Sequence, residues 1–248
     1  MRYEPSIIPQ QMNPILTPEL QQEVNFFLKW GYLVLEDALT SEQVETLRQA
    51  LDETFARQQT QFTHQLLEED ERFEFLLDHS PVLTRMKALL GNCIQLHSAT
   101  ARVTTGGAPD QDSHRDGPWP VDPEGTPYGS IPGQINCGYY LDELTMDNGP
   151  IAIVPGSHRA PFKPPKGYPE FPDQKYVLAK PGQAVMFNGW LYHRGVANQS
   201  QESRRVCLMC YQNAWMKSRE SFDGPRAKKI LENGTDEQKL LLGAVTNW

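Results

Sequence analysis

A mainly β domain with flanking helices is the expected architecture of this 248-residue chain, on three grounds. From about Cys93 onward the sequence breaks into short β-rich runs punctuated by Gly, Pro, Asn and Asp, the texture of an all-β sandwich or barrel. Ahead of that lie three stretches whose apolar residues recur at helical spacing. Hydrophobic residues make up 39% and charged residues 22%, a globular balance able to bury a sizeable core, which excludes wholesale disorder, collagen and a membrane bundle. The β part is a jelly-roll candidate. The chain reads as a single domain over 1–248, with a helical part at 17–91 and a β core at about 93–216.

Each helix carries its own start and stop. Thr17-Pro18-Glu19 offers a capping hydroxyl, a proline for the first turn and an early acid, and Leu20, Val24, Phe27 and Leu28 then share a face until Gly31. Tyr32-Leu33-Val34-Leu35 follows as a short strand. Thr40-Ser41-Glu42-Gln43 opens a second helix with Val44, Leu47, Leu51 and Phe55 as its stripe. A third is bracketed by Ser80-Pro81 and Gly91 and points Val82, Met86, Leu89 and Leu90 inward. The acidic stretch from Glu68 to Glu74 is expected to be a solvated helix face or loop.

Expected strands run over Ile94–Thr104, Gln134–Leu141, Ile151–Val154, Gln174–Leu178, Ala184–Phe187 and Val206–Gln212. The Pro/Gly-rich segments Gly117–Gly133 and Ala160–Pro172 are long for simple connections and are expected to wall a site. The polar stretch from Lys217 to Trp248 contains a helical patch at Asp236–Leu242.

Thirty-one acidic residues against 23 basic leave a net charge of -8, a field that repels phosphate backbones and anionic membranes, so no nucleic acid and no membrane is expected as a partner. The apolar runs fall short of a membrane span and Met1–Pro5 lacks the apolar core of an export signal, so the expected location is the cytoplasm. Cys93, Cys137, Cys207 and Cys210 fit reduced core thiols there. Cys207 and Cys210 form a C-x-x-C, but on a buried strand residues three apart point to opposite faces and do not chelate one ion without a turn.

The chemistry gathers elsewhere. His114-Arg115-Asp116 sets an imidazole and a carboxylate two residues apart, on one side of an extended chain and within reach of one ion. A third ligand is found in His193, in a turn-rich stretch after the strand ending at Phe187. Two histidines and one carboxylate on a face of an octahedron make the triad of non-haem Fe(II) oxygenases, with positions left for an oxidisable cosubstrate and O2. Farther on, Arg204-Arg205 leads into a hydrophobic strand. Neighbours on a strand face opposite ways, so one guanidinium lines the interior, where it needs an anion, and the other meets solvent.

These motifs, in order, resemble the phytanoyl-CoA dioxygenase family of Fe(II)/2-oxoglutarate-dependent oxygenases. Phe26–Leu35 resembles the family's opening and His114-Arg115-Asp116 its H-x-D. Asp147-Asn148-Gly149-Pro150 through Pro155-Gly156-Ser157-His158 resembles its N-G…P-G-S-H turn. Lys180–Phe187 followed by His193 resembles the strand and turn delivering the distal histidine, with Arg204 where the cosubstrate arginine falls. The resemblance implies a double-stranded β-helix (jelly roll, cupin-like) and iron held by His114, Asp116 and His193. It implies 2-oxoglutarate paired with Arg204 and contacted by Arg102. Gly195 stands where many relatives carry Ser or Thr, so that cosubstrate hydrogen bond is missing or replaced. Asp116 favours hydroxylation of an unactivated C–H bond over halogenation, which goes with a small residue at that position; desaturation, cyclisation and epimerisation stay open, since they depend on how the substrate is placed.

The substrate is expected to be a small molecule, with Trp119 in its pocket. An acyl-CoA would require a basic cluster that the sequence lacks. His158 reads as a structural histidine, His64, His79 and His97 lack ligand-spaced partners, and Asp142 and Glu143 read as solvated. Two other readings stay open: a cupin-like zinc or manganese enzyme that needs no 2-oxoglutarate, and a binding module that has lost catalysis.

Overall fold

The computed structural model describes residues 16–117, 132–159 and 170–244. Helix α1 (Pro18–Trp30) starts where the Thr17 hydroxyl accepts the Leu20 N–H at 3.2 Å and buries Leu20, Val24 and Phe27. Burial of one such side chain contributes roughly 1.5–3 kcal/mol. Gly31 ends the helix at φ +82, in the left-handed region, and a Cβ there would lie 2.4 Å from Nδ1 of the buried His158. Only glycine satisfies both the turn and that close approach.

Strand β1 (Tyr32–Leu35) leads to α2 (Ser41–Gln58), whose capping box joins Thr40 and Gln43 reciprocally. Strand β2 (Phe62–Thr63), short helix α3 (Leu66–Glu69), a 3-10 turn (Glu71–Leu76) and α4 (Ser80–Leu90) complete the helical part. The acidic stretch departs from expectation. The Glu68 carboxylate accepts the N–H groups of Arg226 and Ala227 at 3.0 and 2.8 Å, at the first turn of α5 (Pro225–Asn233), a helix the sequence reading missed. An acid is favoured there because helix N-termini present unpaired N–H groups. Helix α6 (Asp236–Leu241) lies within the expected patch.

The remaining strands are β3 (Ile94–Thr104), β4 (Gln134–Tyr140), β5 (Ile151–Ile153), β6 (Lys175–Val177), β7 (Ala184–Asn188), β8 (His193–Gly195) and β9 (Arg204–Asn213). All six expected strands are present, while β2 and β8 were not expected as strands. Strands β1-β7-β4-β9-β3-β2 form one antiparallel sheet and β6-β5-β8 a second. One face of the larger sheet packs Ala99, Ala101, Cys137, Tyr139, Met186, Cys207 and Met209 against the helices. Its other face packs Tyr140, Val185, Phe187 and Val206 against Ile151, Ile153 and Val177 of the smaller sheet. The molecule is therefore a mainly β jelly roll with helices on one side.

Strand alternation explains the C-x-x-C. Cys207 lies in the helix-facing core, whereas Cys210 opens on the cavity between the sheets. Both are free thiols, and burial pushes both up from the ordinary cysteine pKa.

One irregularity matters later. In β3, Leu96 packs in the helix-facing core while Ser98 faces the cavity, although both are even positions. The pairing with β9 slips between them, so His97 is the extra residue of a β-bulge and turns the strand over. Its carbonyl accepts the N–H groups of Arg219 and Glu220 at 3.1 and 3.2 Å, and a Glu220 carboxylate oxygen accepts the Ala99 N–H at 2.8 Å. The segment after β9 thus satisfies the backbone groups that the bulge releases.

Candidate metal centre

His114 and His193 come together through the backbone. They exchange two hydrogen bonds, His114 N–H to His193 O at 2.9 Å and His193 N–H to His114 O at 3.1 Å, which fastens the H-x-D segment to β8. What the sequence presents as a turn-rich stretch is a strand because β5 pairs with it, Ile153 opposite His193, and the bridge to His114 is added on its other side. Each imidazole has its Nδ1 against the carbonyl two residues earlier, Asp112 O at 2.8 Å and Leu191 O at 2.9 Å. With the Nδ1 proton given to those carbonyls, both Nε2 lone pairs face inward, the tautomer that metal ligation requires.

Both Nε2 atoms meet the Asp116 carboxylate, His193 at 3.3 Å from one oxygen and His114 at 3.6 Å from the other. One ligand atom from each of the three lies within 4.8 Å of the others, the only such set of three among the described residues. A divalent ion fits these donors: two imidazole nitrogens and one carboxylate oxygen converge on one point from one side.

The electrostatics agree. Burial works against charge on His193, yet Asp116 overrides it and raises the His193 pKa. Burial lowers His114, helped by the neighbouring His193. Burial alone would raise Asp116, but the two histidines outweigh it and hold the carboxylate at about 2. Asp116 is therefore ionised throughout the neutral range. Its Oδ2 also accepts the Nδ2–H of Asn136 at 3.0 Å, a partner that the sequence reading missed because β4 brings it from 20 residues away.

A cavity of about 240 Å³ opens beside this cluster between the two sheets, lined among others by Thr100, Arg102, Tyr140, Ile151, Phe187, Arg204, Val206 and Leu208. Arg204 is 6% exposed and its Nε donates to Gly149 O at 2.8 Å, with the Tyr140 ring 5.8 Å away. No carboxylate among the described residues forms an ion pair with it. Burial lowers its pKa and nearby Arg102 adds repulsion. Arg205, on the opposite face, pairs with Asp142 at 2.9 Å and Asp52 at 2.7 Å. Asp142 also meets Arg48 at 3.3 Å and is only 15% exposed, so it is a half-buried ion-pair partner rather than a solvated acid; Glu143 is exposed.

Gly195 lines the cavity, and its N–H donates to Gln111 Oε1 at 2.9 Å. A Cβ there would meet that oxygen at 2.8 Å, so Gln111 takes the space of a side chain at position 195. His158 is structural: its Nε2 lies 3.2 Å from Leu28 O, beneath Gly31. His97, without ligand-spaced partners in sequence, lines the cavity through the bulge. Trp119 and most of the two expected walls, at 118–131 and 160–169, lie outside the described residues.

Comparison with known proteins agrees with this geometry. The family model for phytanoyl-CoA dioxygenase (PhyH) matches residues 27–206, well over half of the chain. Dioxygenase cdmA of Talaromyces verruculosus is 34% identical over 111 residues, 44% of this chain and 36% of that protein. The chain thus aligns with about a third of the length of that curated relative. HygX from Streptomyces hygroscopicus, solved with nickel and 2-oxoglutarate bound, superimposes with a TM-score of 0.70 at 17% identity over 83% of this chain and 90% of that one. The non-heme alpha ketoglutarate dependent carbocyclase SnoK from nogalamycin biosynthesis does so with a TM-score of 0.66 at 18% identity over 85% and 91%. These two share the fold. No helix among the described residues is long and apolar enough to cross a membrane. The motif order, the jelly roll and the family match over most of its length agree: the chain belongs to the phytanoyl-CoA dioxygenase family.

Proposed function

We propose that this protein is an Fe(II)/2-oxoglutarate-dependent oxygenase that oxidises an unactivated C–H bond of a small molecule, with hydroxylation as the outcome. The observation that carries the reading is one cavity holding both the His114/Asp116/His193 cluster and the buried, carboxylate-free guanidinium of Arg204. His114, Asp116 and His193 hold the iron. Bound iron supplies the dioxygen chemistry, in which 2-oxoglutarate is decarboxylated to succinate and CO2 as the substrate is oxidised.

The chain's own residues position the reactants. Arg204 receives the distal carboxylate of 2-oxoglutarate, since a buried charge without a partner is costly and a planar fork suits a carboxylate. Arg102, lining the same cavity, adds a second positive group at that end. Val206, Leu208, Ile151 and Phe187 contribute the apolar part of the cavity wall. Asn136 and the two backbone carbonyls hold the donors in place before any ion arrives. The residues 1–248 act as one oxygenase domain. The cytoplasm suits the unpaired thiols of the described residues, and the net charge of -8 disfavours nucleic acid as a partner.

The test is succinate formation from 2-oxoglutarate and O2 with Fe(II), screened against small-molecule candidates. Iron-dependent succinate and a product heavier by one oxygen are expected. Turnover supported by zinc, with no use of 2-oxoglutarate, would overturn the reading.

A further inference from the structure

The cavity is unusually cationic for an acidic chain. Its described lining carries three guanidiniums, Arg102, Arg204 and Arg219, against the single carboxylate of Asp116. Arg102 and Arg204 begin one end: Thr104 pairs with Arg204 across β3 and β9, and Arg102 lies two residues away. Arg219 stands at the other end. Cys210 lies six positions along β9 from Arg204, roughly 20 Å of strand, and the chain then turns back so that Arg219 meets the bulge at His97.

The backbone fixes that position. The Arg219 N–H donates to His97 O, the next N–H does the same, and the buried Glu220 carboxylate locks onto the Ala99 and Gln65 N–H groups at 2.8 and 3.1 Å. The chain at 219–220 is therefore tied at four points while the Arg219 side chain lines the cavity, exposed and without an ion pair or side-chain hydrogen bond among the described residues. It lines the same cavity as His114, Asp116 and His193.

Charge decides what belongs there. A 2-oxoglutarate dianion is matched by the Arg204 end and the metal, which leaves Arg219 across the cavity without an ion-pair partner among the described residues. Resting on the function proposed above, we infer that the molecule being oxidised is itself an anion, a carboxylate or phosphoryl compound, and that Arg219 receives its charged group and so aims its C–H bond at the metal. Arg219 is in this sense a specificity-determining residue.

The experiment uses the full chain loaded with Mn(II), which holds the site without turnover. Calorimetry first measures 2-oxoglutarate binding to the wild type, Arg204→Ala and Arg219→Gln, and then, at saturating 2-oxoglutarate, the binding of butyrate, ethylphosphonate and neutral butyramide. Butyrate or ethylphosphonate should bind about ten-fold or more tighter than butyramide. Arg219→Gln should abolish that preference without weakening 2-oxoglutarate, and Arg219→Lys should restore part of it. Equal affinity for anion and amide, or an anion preference that survives Arg219→Gln, overturns the inference alone. So does a loss of 2-oxoglutarate binding in Arg219→Gln equal to that in Arg204→Ala. A wild type that binds no 2-oxoglutarate overturns the functional reading and this inference with it.

Discussion

Asn136 donates through Nδ2 to Oδ2 of Asp116 at 3.0 Å, and the same oxygen lies 3.3 Å from Nε2 of His193. The carboxylate is thus oriented from β4 by a neutral amide that adds no charge to the cluster. Strand pairing sets the position: Asn136 pairs with Cys210 on one side and Phe187 on the other, at the level of β7 from which the chain turns toward His193.

Asn136→Ala should weaken divalent metal binding by about 10–100-fold, the usual effect of removing a partner that orients a ligand. The fold should remain, because Asn136 faces the cavity rather than the core. Titration with Co(II) or Mn(II), alongside circular dichroism, measures both. Wild-type metal affinity in this variant would show that Asp116 needs no such support.

Arg204 and Arg205 are sequence neighbours with opposite consequences. Arg204→Ala should raise the 2-oxoglutarate dissociation constant by an amount equivalent to about 2–5 kcal/mol while leaving metal binding intact. Arg205→Ala should leave 2-oxoglutarate binding unchanged and lower stability by about 1–3 kcal/mol, because half-buried Asp142 loses the guanidinium that hydrogen-bonds both its oxygens and keeps only Arg48. Calorimetry with Mn(II)-loaded protein and urea unfolding distinguish the two. The reverse pattern would mean that the strand faces are assigned the wrong way round.

Asp70 should make part of the stability acid-sensitive. Its carboxylate takes hydrogen bonds from the Arg72 side chain at 2.9 and 2.7 Å, which hold its pKa at about 2. The unfolded value is about 3.9. A depressed carboxylate contributes stability above its unfolded pKa and loses that contribution as pH falls toward the folded one. Between about pH 5 and about pH 3 the urea midpoint of the wild type should therefore drop more than that of Asp70→Asn. An equal drop in both would remove Asp70 from the acid response.

What the sequence by itself determines here is local or periodic. Thr17, Thr40 and Gly31 mark helix ends through hydrogen bonds made within a turn, and the β-rich run from Gln134 to Tyr140, set between turn-forming residues, marks a strand whatever it pairs with. The H-x-D is legible for the same reason, as two side chains on one side of three consecutive residues. The separate fates of Arg204 and Arg205 follow from alternation alone.

Tertiary structure decides whatever depends on a distant partner. His193 sits in a strand because β5 pairs with it, and it meets His114 through a bridge from a distant segment; Asp142 is half-buried because Arg48 and Arg205 close over it, and Glu68 caps a helix that begins more than 150 residues later. The bulge at His97 is the sharpest case. A single extra residue reverses which face every later side chain of β3 presents, and its released backbone groups are satisfied by Arg219 and Glu220 from beyond β9. A period-2 pattern carries no record of such a slip, since the energy that stabilises it lies in hydrogen bonds between segments 120 residues apart.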